Sequence, residues 1–172
     1  MSPLIVSAPP ANTARLRFVT TANDFGAELI RFDTRGAVSH VEAVMADGSI
    51  IGSYANIGVT RQLNNFDRTS TMQIFVDLQM SEPTYKVWSE FLADRIGWPY
   101  DAPAIGGFIT EFNFHEQGAL ICSALQVDAL RHCGWFSVPL ALRYHMISPV
   151  VVLLMLQADP RSLVHPPEQA GT

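Results

Sequence analysis

The chain has 172 residues, 16% of them charged and 48% hydrophobic, with a net charge of −5. That length suits one domain with a real core, and so apolar a composition argues against disorder. Ten arginines but a single lysine, with no basic run, argue against nucleic acid or an anionic membrane surface as the main partner.

No basic n-region precedes the short apolar Leu4-Ile5-Val6, and the longest apolar run, Val150 to Leu156, is far below the roughly 20 residues that span a bilayer. The expectation is a cytoplasmic protein without stable membrane insertion. Its domain covers residues 14–158, with 1–13 and 159–172 as loose termini. The body opens with a strand around Leu16 to Thr20. A short helix follows through Phe25, Leu29, Ile30 and Phe32, capped by Thr21 or Asn23. Val38 to Met45 and Ser49 to Tyr54 flank Asp47-Gly48, the strongest hairpin signal in the sequence. Gly58 to Leu63 and Met72 to Leu78 read as further strands. A helix from Glu82 to Ile96 has Ser81 as its cap, Pro83 in its first turn, Gly97 as its end, and Trp88, Phe91, Leu92 and Ile96 on its inner face. A Gly/Pro-rich connection from Trp98 to Gly107 leads on to Gly118–Gly134, a helix ended by a glycine cap. Leu140 to Ile147 suits a strand. Beyond it, Ser148-Pro149 signals a helix while Val150 to Val152 prefers a strand, which leaves the last element open.

Two places carry chemistry. Cys122 falls in the first turn of the Gly118–Cys133 helix, where unpaired backbone N–H groups and the helix dipole favour thiolate. Packing as a buried structural cysteine is the competing reading. Cys133 lies eleven positions on, about 16 Å away along a helix, too far for a disulfide. In the first hairpin strand, His40 and Glu42 share a face, as a base and a residue that orients its ring would. The alternative is the solvated face of an edge strand. The remaining histidines, His115, His132, His145 and His165, are weaker candidates. None of the five pairs with zinc-ligand spacing, and no metal or cofactor is expected.

The order of Ser39-His40-Val41-Glu42, the Asp47-Gly48 hairpin, Gly97-Trp98-Pro99-Tyr100-Asp101 and Ile121-Cys122-Ser123 resembles the circularly permuted branch of the papain-like fold. That branch includes NlpC-type cell-wall amidases. In it the histidine strand precedes the cysteine helix, as here. The resemblance, over roughly Leu16 to Leu156, implies an α+β domain: a mainly antiparallel sheet packed against the cysteine helix and further helices. It implies Cys122 as nucleophile and His40 as base. Glu42 matches the third, orienting residue in type, with Ser53 and Tyr54 as rivals. Ala124 stands where a glutamate is common in the branch. Tyr100, Tyr54 and Ser123 are the expected substrate contacts. The implied activity is a cysteine amidase or peptidase acting on small peptide or amide substrates, cell-wall peptides among them. The alternatives are an acyltransferase or lipid hydrolase similar to lecithin:retinol acyltransferase, and a non-catalytic binding domain of the same fold.

Overall fold

A computed structural model of the chain describes residues 4, 6–21, 37–63, 70–101, 120–136 and 147–170. The helix expected through Phe25 to Phe32, the strand expected at Leu140 to Ile147, and His115 and His145 lie outside the described residues, or, for the strand, almost wholly outside. Among the described residues the architecture is α+β: an open, antiparallel seven-stranded sheet with three helices.

The strands are β1 (Thr13–Thr21), β2 (His40–Val44), β3 (Ile50–Tyr54), β4 (Gly58–Gln62), β5 (Ser70–Gln79), β6 (Ser162–Val164) and β7 (Glu168–Gln169). Their order is β4-β3-β2-β1-β5-β6, and β7 also pairs with β5. Gly48 takes a positive φ of 79° in the β2–β3 turn, the conformation that an Asp-Gly hairpin demands. The helices are α1 (Glu82–Ala93), α2 (Cys122–His132) and α3 (Pro149–Ala158). Ser81 and Ser148 cap α1 and α3 by accepting the backbone N–H groups of Thr84 and Val151, and a proline opens each first turn. Packing against β6 and α2 thus decides the ambiguous Val150–Val152 run for helix.

Strand alternation divides the sheet into two faces. Ala14, Leu16, Phe18, Val41, Ala43, Ile51, Ile74, Val76 and Leu78 join the helices in one core with Trp88, Leu92, Leu125, Leu130 and Leu156. The opposite face carries a smaller cluster of Val6, Val44, Ile50 and Phe75. It also carries a row of buried polar groups that includes Arg15, Arg17, Glu42, Gln73 and Asp77.

Three expectations change. The segment from Pro160 onward, expected to be loose, lines the outer edge of β5: Ser162–Val164 pairs with Val76–Leu78, and Glu168–Gln169 with Met72–Gln73. Thr13, placed in the loose N-terminus, opens β1. Ile96 is 43% exposed rather than inward, because α1 ends at Ala93 and the chain turns through Gly97 at a φ of 93°.

One irregularity positions the site. Strands β2 and β3 are paired only at Ala43–Ile51 and Val44–Ile50. Beyond those pairs, the start of α2 takes their backbone and side-chain groups. Ser53 Oγ donates to the Leu120 carbonyl at 2.5 Å, and Gln126 Nε2 donates to the Ile51 carbonyl at 3.3 Å. Leu120 N–H also donates to the Pro99 carbonyl, which draws the Trp98–Asp101 segment alongside. The helix start is a wedge between two strands.

Candidate active site

Cys122 is the first residue of α2, and Ile121 caps it without any side-chain hydrogen bond. The first-turn N–H groups therefore have no side-chain acceptor of their own at the cap. The sulfur takes two backbone donors, the N–H groups of Val41 and Ser123, and a side-chain hydrogen bond with His40. The Val41 contact follows from the splayed strands, since that stretch of β2 has no β3 partner in the ladder. Burial pushes the Cys122 thiol up. The charge and ring of His40 and the two backbone donors outweigh it, and the thiol titrates below its ordinary value.

His40 sits at the start of β2, opposite Val19 of β1. Burial alone would lower its pKa. The Cys122 thiolate and the Glu42 carboxylate instead raise it, to about 10. Its Nε2 stands 3.5 Å from Glu42 Oε2, close enough for an ion pair but outside a well-formed hydrogen bond. The Tyr54 ring lies over the imidazole, with centroids 5.0 Å apart, and its hydroxyl donates to Glu42 Oε2 at 2.8 Å. Glu42 is 1% exposed. Desolvation alone would raise its pKa, yet His40, Arg17 and Tyr54 hold it well below the usual range, at about 2. The carboxylate is ionised, and His40 faces an anion on either side.

The expected residues fall into two groups. Cys122, His40, Glu42 and Tyr54 converge. Ser53, a rival for the orienting position, is spent on the Leu120 carbonyl, and Tyr54 acts on Glu42 rather than directly as third residue. Ser123 gives the sulfur its backbone N–H rather than its side chain, and Tyr100 packs against the core. Ser123 is fully buried with an unpartnered hydroxyl, and Tyr100 is half-buried against the core. Cys133 ends α2, and burial raises its thiol pKa. Its Sγ donates to the Leu130 carbonyl at 3.4 Å.

Sequence reasoning missed Arg17. It lies directly across β1–β2 from Glu42, and its Nη1 donates to Glu42 Oε1 at 2.6 Å. A signal was present: Arg15 and Arg17 interrupt the run Ala14, Leu16, Phe18 on alternate positions, and so share one face. Among the described residues, no group of three or more His, Cys, Asp or Glu side chains could hold a metal ion, and no helix is long and apolar enough to cross a membrane.

No family model matches the sequence, and no curated protein matches it.

Proposed function

We propose that the protein is a cysteine-dependent hydrolase of amide or ester bonds, with Cys122 as nucleophile, His40 as acid and base, and Glu42 as the residue that orients His40. The observation that carries this reading is the meeting of Cys122, at an uncapped helix start, with a histidine backed by a buried carboxylate. Structural cysteines in apolar surroundings have a raised thiol pKa, as Cys133 does. At Cys122, His40 and the backbone N–H groups of Val41 and Ser123 hold the thiol pKa down instead. The histidine-before-cysteine order and the antiparallel sheet under a cysteine helix support a permuted papain-like fold, and with it small peptides or amides as substrates.

The chemistry balances on these groups alone. The Cys122 thiolate adds to the substrate carbonyl, and the oxyanion meets the N–H groups of the first turn of α2. With Nε2 turned to Glu42, Nδ1 of the imidazolium is left to give its proton to the departing amine or alcohol. The thioester remains. Water then loses a proton to the neutral imidazole as its oxygen bonds to the acyl carbon. Collapse of that intermediate releases the acid and returns the thiolate–imidazolium pair.

Iodoacetamide labelling of a Cys133→Ser protein between pH 5 and 9 tests the reading. Labelling is expected to reach half its maximum well below pH 8, and His40→Ala is expected to move it upward by about one unit or more. Labelling that follows an ordinary thiol near pH 8.5 and ignores His40→Ala would give the non-catalytic binding domain instead.

A further inference from the structure

The polar contacts of Glu42 do not stop at Arg17. Arg17 is 1% exposed, and its Nε donates to Gln73 Oε1 at 2.7 Å. Gln73 is fully buried, and its Nε2 donates to Glu168 Oε2 at 2.6 Å, on the strand that lies opposite it in the sheet. The row crosses the sheet from α2 through β2, β1 and β5 to β7 as Cys122, His40, Glu42, Arg17, Gln73 and Glu168. Within it, thiolate and carboxylate carry two negative charges, and imidazolium and guanidinium two positive ones. The buried part is neutral overall, which is the condition under which four charges persist out of water.

We propose that Arg17 is a positioning residue for this site: it aims the Glu42 carboxylate at His40, and the Gln73 amide holds the guanidinium in place. This rests on the reading of Cys122 and His40 as a reactive pair. Arg17 has a fixed orientation that includes the carboxylate beside His40, because Nη1 goes to Glu42 and Nε to Gln73, on opposite neighbouring strands. The Gln73 amide is likewise fixed, accepting from Arg17 with its oxygen and donating to Glu168 with its nitrogen. The charged and polar groups that face Glu42 come from each element around it: Arg17 from β1, His40 from its own strand, Tyr54 from β3, and Cys122 beyond the ring.

Without the guanidinium the buried cluster carries one excess negative charge, so it takes up a proton at a pH where the intact site does not. A carboxyl that accepts that proton loses its hold on the His40 ring. The acid limb of Cys122 labelling therefore moves to higher pH.

The test is the labelling profile of Cys122 in the Cys133→Ser protein, with thermal unfolding run in parallel. Arg17→Met is expected to shift the half-maximum upward by about one pH unit. Arg17→Lys keeps the charge but cannot bridge Glu42 and Gln73 together, and is expected to shift it by about half as much. Added to Glu42→Gln, Arg17→Met should produce no further shift, since nothing is left for it to aim. A folded Arg17→Met protein with an unchanged profile would overturn the proposal. So would a full second shift on top of Glu42→Gln. Should Arg17→Met not fold, Arg17→Lys decides: a profile superimposed on the parent overturns it, and a shift supports it. A parent protein whose Cys122 labels as an ordinary thiol would instead remove the proposed function itself.

Discussion

The face of the sheet away from the helices carries two assemblies of the same composition, and only one of them meets a sulfur. In the first, Arg17 of β1 pairs with Glu42 of β2, and His40 approaches that carboxylate at 3.5 Å. In the second, Arg15 of the same strand grips Asp77 of β5 through Nε and Nη2 at 2.6 and 2.8 Å, and His165 Nε2 lies 2.9 Å from the same carboxylate. Arg15 also donates to the Ser7 carbonyl and hydroxyl, so this assembly ties the N-terminal segment and the stretch after β6 to the sheet. An arginine, carboxylate and histidine in a row is thus a cross-strand fastening in itself. The first row becomes a candidate site because β2 and β3 part and the start of α2 fills the gap with Cys122.

The sharpest way to break that comparison is to remove one member from each row. Cys122→Ala or His40→Ala is expected to cut any acyl turnover by roughly 10³-fold or more, because a nucleophile and its base act as a unit. His165→Ala is expected to leave turnover within about twofold, because its ring lies on Asp77 rather than on Glu42. A serviceable assay is release of a chromogenic amine or alcohol from small peptide anilides and esters. A His165→Ala loss as large as the His40→Ala loss would make the two rows one site.

The carboxylates of the two rows should stabilise the fold to different extents but with one sign in pH. Glu42 and Asp77 both have depressed folded-state pKa values, Glu42 at about 2. Each therefore stabilises the fold above its unfolded pKa, and that contribution is lost as pH falls through the folded value. His40, raised to about 10, acts in the opposite sense: its contribution is full below an unfolded value of about 6.5 and is lost as pH rises through 10. Melting temperature should therefore fall below about pH 4 and again towards pH 10. Glu42→Gln leaves the guanidinium of fully buried Arg17 without its anion, at a cost of about 3 kcal/mol. Asp77→Asn lies nearer solvent, beside a His165 that is 34% exposed, and is expected to cost about 1–2 kcal/mol. Urea unfolding at pH 7 and towards about pH 2 checks both: each variant's deficit should shrink as pH falls through the folded-state value of the carboxylate it replaces.

What the sequence made legible was local. The Asp47-Gly48 turn, the Ser81-Pro83 start of α1 and the position of Cys122 in the first turn of α2 each depend on a few adjacent residues. The pairing of His40 with Glu42 was visible for the same reason, being two positions along one strand. The partner of Glu42 was not. It depends on the β1–β2 register, which sets Arg17 against Glu42 across 25 positions, and on a strand order that puts β1 between β2 and β5. The tail was misread because Pro166 and Pro167 break it into pieces of three and two residues, too short to show alternation. Their pairing comes from the unfilled edge of β5, which no tail residue announces.

The smallest expected effect concerns the Tyr54 ring over His40. Tyr54→Phe keeps the ring and removes one donor from Glu42, whose other partners, Arg17 and His40, remain. The loss should be about 1 kcal/mol in stability, the usual net value of a hydrogen bond, here made by a half-buried tyrosine hydroxyl. The Cys122 labelling half-maximum should move upward by only a few tenths of a pH unit. The position of the ring is set from beneath. A Cβ at Gly52 would stand 3.0 Å from Tyr54 Cζ and its hydroxyl oxygen, so a side chain there must push the ring off its place. Gly52→Ala should therefore reproduce the Tyr54→Phe shift and exceed it, because it disturbs the stacking on His40 as well as the bond to Glu42. Equal labelling profiles for Gly52→Ala and the parent would show that the ring contributes nothing to the ionisation of the pair.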